Sequence, residues 1–160
     1  MKRSELQRVD EIIGLWISFT EKMTAIDEIA ASGPTVETKL IEFLGDFPQL
    51  SDVKPDVISA KVDKIRKFYI SKEERRASVL ISAFPDKLRR VITEYHLRKG
   101  RNNSATNTKW THNDVARLLG FRPERYKAIR DYLLELLLQV DGSRDIERDC
   151  GQLSRRLRCL

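Results

Sequence analysis

Residues 111–140 contain the pattern that most restricts the fold: a short helical segment, a glycine and a long helical segment. Thr111 can cap the short segment THNDVARLLG, and an aspartate three residues later can complete a capping box. Gly120 suits the left-handed position that commonly ends a helix, and Pro123 suits the first position of the next one. Only two residues remain for the turn. This spacing predicts a helix-turn-helix, in which the first helix and the turn brace the second.

The rest of the chain also predicts helices, so we expect an all-α fold with a helical N-terminal half, a C-terminal helix-turn-helix and an amphipathic C-terminal helix. No segment shows a convincing period-2 alternation, and no Asn-Gly or Asp-Gly pair separates two apolar runs. Apolar residues from Val9 to Ala30 recur at three- and four-residue spacing, and Ser71 with Glu74 forms a capping box. We expect a polar loop at 100–109 and helices that begin near residues 5, 35, 55, 72, 85, 111, 123 and 146.

These elements suggest three parts in the chain. We assign residues 1–83 to a helical region for partner binding or dimerisation, 84–141 to a DNA-binding domain, and 142–160 to a tail helix. The tail helix carries an apolar stripe, the tail stripe, that comprises Ile146, Cys150, Leu153, Leu157 and Leu160. This stripe can fold back on the domain, pair with another chain or dock on a partner protein. The leucines at 133–138 exceed what one helix side needs, so a homodimer is an alternative to core packing.

The positive charge is concentrated in one segment. The 160 residues carry a formal net charge of +6, and residues 85–130 hold 12 Lys/Arg against 4 Asp/Glu, a net +8. The segments on either side each have a net charge of −1. Because this excess coincides with the helix-turn-helix pattern, it favours a nucleic acid partner over a merely solvated basic face.

Several other classes of protein are disfavoured. Two cysteines cannot supply a disulfide framework or a four-ligand zinc site. His96 and His112 lack acidic or cysteine neighbours at metal-ligand spacing, so we expect no metal and no cofactor. No nucleophile motif or convergent acid–base set is visible, which argues against an enzyme. No apolar run is long enough for a membrane span, and the start of the chain does not resemble a signal peptide, so we expect a cytoplasmic protein.

The stretches FPDKLRRVI at 84–92, THNDVARLLG at 111–120 and ERYKAIRDYL at 124–133 resemble region 4 of bacterial sigma factors. The resemblance covers about a third of the chain. It departs from the family at Pro123, where a polar or basic residue is usual, and at Ala128, where a base-reading glutamine is common. In size and layout the whole chain resembles the phage Q-type late-gene antitermination proteins. Those proteins bind a DNA site near a promoter and load onto paused RNA polymerase, which implies a bacterial host cell.

Candidate DNA contacts follow from the predicted recognition helix, whose first turns would enter the major groove. Glu124 could accept a hydrogen bond from a cytosine amino group, and Arg125 or Lys127 could donate to guanine. The candidate base contacts are Arg122, Glu124, Arg125, Lys127, Ala128 and Arg130. The candidate phosphate contacts are Arg98, Lys99, Arg101, Lys109 and Arg117.

The sequence therefore predicts a sequence-specific, DNA-binding transcription regulator of phage type. Its expected partners are double-stranded DNA and bacterial RNA polymerase, with no membrane, and its expected mode is antitermination at a promoter-proximal site. The alternative is a DNA-packaging adaptor similar to a small terminase subunit, which also joins a helix-turn-helix to an oligomerising helical part.

Overall fold

The computed structural model describes residues 1–31 and 70–159. Within these ranges the chain is all-α apart from one small hairpin, which confirms the predicted fold class. The helices are α1 (Arg3–Ala31), α2 (Lys72–Ser82), α3 (Asp86–Arg98), α4 (His112–Leu118), α5 (Pro123–Asp141) and α6 (Ile146–Arg158). The hairpin strands are β1 (Asn102–Asn103) and β2 (Thr108–Lys109). The helices predicted to begin near residues 35 and 55, and the position of Leu160, lie outside the described residues.

The chain forms two compact units, of which the larger comprises Met1–Ile17 and Arg75–Leu160. Its core takes apolar residues from each of its helices, and the three-and-four spacing of α1 places Val9 and Ile12 inside. Ile13, which follows Val9 by four residues, is also fully buried. The start of α1 therefore packs in the same unit as the helix-turn-helix.

Helix α5 is buried along more of its surface than a single stripe would allow. Leu134 and Leu137 have no exposed surface, and Leu133 and Leu136 are also buried. Burial of one leucine side chain contributes roughly 1.5–3 kcal/mol relative to leaving it exposed. The surplus leucines of this segment are therefore used by the chain's own core.

Helix α6 folds back on this core. Asp145 caps its start by accepting a hydrogen bond from the backbone N–H of Arg148 (3.2 Å). Cys150, Leu153 and Leu157 are buried in the same cluster as the residues of α5. Of the three alternatives for the tail stripe, the structure shows the first. Cys159, at the end of the helix, is exposed, and burial raises the pKa of the Cys150 thiol.

An ion-pair network centred on Asp141 connects three helices of the larger unit. The carboxylate of Asp141, at the end of α5, accepts hydrogen bonds from Nε and Nη2 of Arg8 on α1, both at 2.9 Å. It also pairs with Arg76 of α2, whose guanidinium donates a second hydrogen bond to the backbone carbonyl of Asp141. These hydrogen bonds lower the pKa of Asp141 despite its partial burial.

The second unit comprises Ser18–Glu74. In its described part, Ser71 and Glu74 form the predicted capping box at the start of α2, with N···O distances of 3.1 and 3.3 Å. The buried Glu74 carboxylate also accepts hydrogen bonds from Lys22 (2.8 Å) and Ser18 (3.0 Å). Burial alone would raise the pKa of Glu74, but these hydrogen bonds together lower it.

The structure corrects the loop predicted at 100–109. Asn102 pairs with Lys109, and Asn103 pairs with Thr108, in an antiparallel register. Asn107 has a φ of 55°, a left-handed conformation that asparagine tolerates better than most residues. Among the described helices, none is both long enough and apolar enough to span a bilayer.

Candidate nucleic-acid interface

The start of α4 is fixed by a local capping box, as the sequence predicts. The hydroxyl of Thr111 accepts a hydrogen bond from the backbone N–H of Asp114 (3.2 Å), and the Asp114 carboxylate accepts one from the backbone N–H of Thr111 (3.0 Å). Hydrogen bonding to Thr111 lowers the pKa of Asp114. Both donors satisfied here are backbone groups that a helix N-terminus would otherwise leave unpaired.

The turn between α4 and α5 is a Schellman motif. Gly120 has a φ of +80°, and its N–H donates to the carbonyl of Arg117 at 3.1 Å. The N–H of Phe121 donates to the carbonyl of Ala116 at 2.8 Å. These two hydrogen bonds satisfy carbonyls at the end of α4 and turn the chain sharply. Pro123 then occupies the first position of α5, as predicted.

Tyr126 braces the second turn of α5 against α3. Its side chain is only 2% exposed, and its hydroxyl donates to the backbone carbonyl of Val91 at 3.1 Å. Burial raises the pKa of the Tyr126 hydroxyl, so it remains a donor at neutral pH. Val115 and Ala116 of α4 are fully buried in the same cluster. Helices α3 and α4 therefore hold the first turns of α5 in a defined orientation.

The outer face of these turns is exposed and basic. Arg122, Arg125 and Lys127 are exposed, as are Glu124 and Ala128. Within residues 1–31 and 70–159, none of the three cations makes an ion pair. Five of the six residues predicted as base contacts are thus on one accessible segment.

Arg130 does not belong to this exposed face. It lies four residues after Tyr126, on the inner side of α5, and it is half-buried. Its Nη2 atom is 3.5 Å from Nε2 of His96, and its Nε has no hydrogen-bond partner among the described atoms. The prediction that Arg130 is an exposed residue is wrong, because this side of α5 packs against α3.

The predicted phosphate contacts separate into two groups. Lys99, Arg101, Lys109 and Arg117 are exposed, and Lys109 lies on β2 of the hairpin that precedes α4. Arg98 is half-buried instead: its Nε pairs with Glu94 at 2.9 Å, and its guanidinium lies 4.6 Å from the centre of the Trp110 ring. This cation–π contact anchors the hairpin end to α3, so Arg98 already has partners.

Sequence reasoning missed one polar residue beside the exposed face. A groove of about 480 Å³ between the starts of α4 and α5 is lined by Asn113, Glu124, Lys127 and Asp131, among others. Asn113 is exposed and presents an amide, which can both donate and accept hydrogen bonds. Its position in the first turn of α4, beside the start of α5, is the feature of the sequence that could have identified it.

The two histidines each contact other side chains of the protein. His112 stacks on Tyr95 with ring centres 3.7 Å apart. Burial lowers the pKa of His96 to about 4, nearby Arg130, Lys99 and His112 add to this effect, and Asp10 at 3.6 Å opposes it. In the parts of the chain that the structure describes, no three His, Cys, Asp or Glu side chains are grouped to hold a metal ion.

We expect His96 to make the fold sensitive to mild acid. A histidine in the unfolded chain has a pKa near 6.5, whereas the pKa of His96 in the folded chain is about 4. Between these two pH values the unfolded state binds a proton at His96 and the folded state does not. The free energy of unfolding should therefore fall by about 2 kcal/mol between pH 7.5 and pH 5, with a smaller contribution from His112, whose pKa is also lowered. Urea denaturation across this range measures the loss.

The control for this prediction is His96→Gln, which removes the titrating group. This variant should keep only the smaller pH dependence that His112 contributes, and His112→Gln should keep most of the wild-type dependence. A His96→Gln protein with the full wild-type slope would contradict the assignment.

Comparison with known proteins identifies no relative of this chain. No family model matches the sequence, and neither the curated proteins nor the solved structures give a significant match. The resemblance to sigma factor region 4 therefore rests on the three sequence stretches alone.

Proposed function

We propose that this protein is a sequence-specific, DNA-binding transcription regulator of phage type that acts as an antitermination factor on RNA polymerase at a promoter-proximal site. One observation supports DNA binding above the others. The first turns of α5 are exposed, basic and unpaired within the described residues, yet their backbone is held by Tyr126 and by the Schellman turn at Gly120.

This arrangement suits insertion into the major groove. The groove is about 12 Å wide and admits one α-helix, whose first turns meet the base edges. Arg125 and Lys127 supply donors for guanine, and Glu124 supplies an acceptor for cytosine. The exposed Lys99, Arg101, Lys109 and Arg117 would fix the register on the phosphate backbone. Preorganisation by α3 and α4 reduces the entropy lost on binding.

The antitermination mode is supported by the resemblance to Q-type proteins. A regulator of this kind needs a surface for the polymerase in addition to the DNA-binding helix. The near-neutral N-terminal part offers a separate compact unit, Ser18–Glu74, for such a contact. The packaging-adaptor alternative has lost part of its support, because the leucines of α5 and the stripe of α6 are buried within the chain. A ring-sized oligomer in light scattering would restore it.

Fluorescence anisotropy on a duplex and on matched single-stranded DNA and RNA, over a salt series, tests this proposal. We expect preference for the duplex and a linear fall of log K with log salt. If the four exposed cations each contact one phosphate, the slope should be about −3.6 or steeper. Binding that is weak, or equal for all three nucleic acids, would refute DNA recognition by α5. Site selection and a terminator read-through assay then test antitermination itself.

A further inference from the structure

We propose that the C-terminal turns of α6 form a second DNA-contact surface, which binds the phosphate backbone beside the segment contacted by α5. This inference rests on the proposed function. The surface is an arginine cluster comprising Arg155, Arg156 and Arg158, which the sequence prediction of the binding site did not include.

The first observation is the distribution of charge along α6. Its acidic residues, Glu147 and Asp149, lie in the first turn, and the charged residues after them are all arginines. The three arginines of the cluster are exposed, and none forms an ion pair within the described part of the chain. Cations near a helix C-terminus interact favourably with the helix dipole, but that effect neither requires three guanidinium groups nor places them beside α5.

The second observation is the orientation of the helix. Leu153 and Leu157 are buried against the core, so α6 cannot rotate about its axis. With 100° between successive residues, Arg155 and Arg158 lie on the face opposite these leucines and point outward. The core packing of α6 therefore presents the two arginines to solvent in a fixed position.

The third observation is a contact between the arginine cluster and α5. An Nη2 atom of Arg156 lies 3.4 Å from the hydroxyl oxygen of Tyr132 on α5. Tyr132 is 48% exposed and follows Arg125 by seven residues, which is two helical turns along the same face. The contact places Arg156, and with it the C-terminal end of α6, at the border of the face that carries Arg125.

The spacing fits the dimensions of DNA. Two turns of α5 span about 10 Å, close to the width of the major groove, about 12 Å. When the first turns of α5 lie in the groove, the region around Tyr132 reaches its edge, where the phosphates are. Guanidinium groups bind phosphate oxygens through paired hydrogen bonds, which makes arginine the suited residue for this contact.

The experiment compares Arg155→Ala/Arg158→Ala with the full wild-type chain on a selected duplex and on a scrambled duplex. Loss of two phosphate contacts should reduce the salt slope by about 1.8 and weaken binding to both duplexes by roughly 60-fold at 0.1 M salt. The ratio of specific to scrambled affinity should stay the same, because phosphates carry no base information. The melting temperature should fall by no more than a few degrees, since only the favourable interaction with the helix dipole is lost.

Two controls sharpen this test. Lys72→Ala/Arg75→Ala removes the same charge from exposed positions of α2, outside the helix-turn-helix, and should change the slope by much less. Arg155→Lys/Arg158→Lys keeps the charge and should keep the slope. Shortening the duplex on the flank that the cluster contacts should weaken the wild type and leave the double alanine variant unaffected.

The outcomes separate this inference from the proposed function. If the wild type does not prefer duplex DNA, both are wrong. If Arg125→Ala/Lys127→Ala loses specific binding while Arg155→Ala/Arg158→Ala binds with the wild-type slope, the arginine cluster is not a DNA contact and the proposed function stands. If the arginine variant keeps DNA binding but no longer binds RNA polymerase, the cluster is a protein-docking surface and the inference is overturned.

Discussion

Replacement of both Arg125 and Lys127 by alanine should abolish most of the preference for a specific duplex. Each good contact of a cation with guanine contributes about 1–3 kcal/mol of discrimination, so affinity for the selected site should fall by about 30-fold or more. The fold should remain intact, because both side chains are exposed and make no ion pair with the described residues. Exposed substitutions of this kind change the free energy of unfolding by about 0.5 kcal/mol or less.

The measurement is anisotropy on the selected duplex and on a scrambled duplex, with circular dichroism to verify the fold. Lys72→Ala/Arg75→Ala is the matched control, since it lowers the net charge by the same amount. We expect the control to weaken both duplexes slightly and equally. An Arg125→Ala/Lys127→Ala protein that still distinguishes the two duplexes would mean that α5 does not make the base contacts.

The local features of this site could be predicted from the sequence because their causes are local. A capping box needs only Thr111 and Asp114, and the Schellman turn needs only a glycine at residue 120. Tyr126 and Leu133 are seven residues apart, which is two helical turns, and both are buried on the inner face of α5. Each of these features depends on residues within about one or two helical turns.

The features that the sequence did not reveal depend on distant residues. Arg130 was placed on the exposed face, but His96, 34 residues earlier in the chain, lies beside it on α3. Arg98 was taken as a free cation, yet it contacts the Trp110 ring across the hairpin. The sequence around a long basic side chain does not indicate whether that side chain is free in solvent or packed on an aromatic ring. Only the packing of helices distinguishes the two cases.

The ion-pair network at Asp141 is the strongest example of such a distant cause. Asp141 was assigned only to the end of the DNA-binding domain, and Arg8 lies 133 residues before it. Nothing in the spacing of either residue indicates the other. The network nevertheless connects α1 and α2 to the end of α5, so the stability of the helix-turn-helix part depends on the start of the chain.

Replacement of Asp141 by alanine should therefore cost about 2–3 kcal/mol of the free energy of unfolding. The Asp141 side chain is only 14% exposed, and its loss leaves the guanidinium groups of Arg8 and Arg76 without their shared acceptor. Breaking a fully buried pair costs about 3–5 kcal/mol, and an exposed pair contributes up to about 1 kcal/mol, so a half-buried network lies between these values. Urea denaturation at pH 7.5 measures the change.

Glu135→Ala is the control on the same helix, because Glu135 is exposed, and its effect should be within about 0.5 kcal/mol. Arg8→Ala combined with Asp141→Ala should cost less than the sum of the single variants, since both remove the same interaction. The lowered pKa of Asp141 means that its contribution is present above about pH 4 and is lost at lower pH, as the folded carboxylate takes up a proton. The Asp141 effect should thus persist at pH 5, where proton uptake by His96 in the unfolded state has already lowered the free energy of unfolding. An Asp141→Ala protein as stable as the wild type would show that hydrophobic packing alone joins these helices.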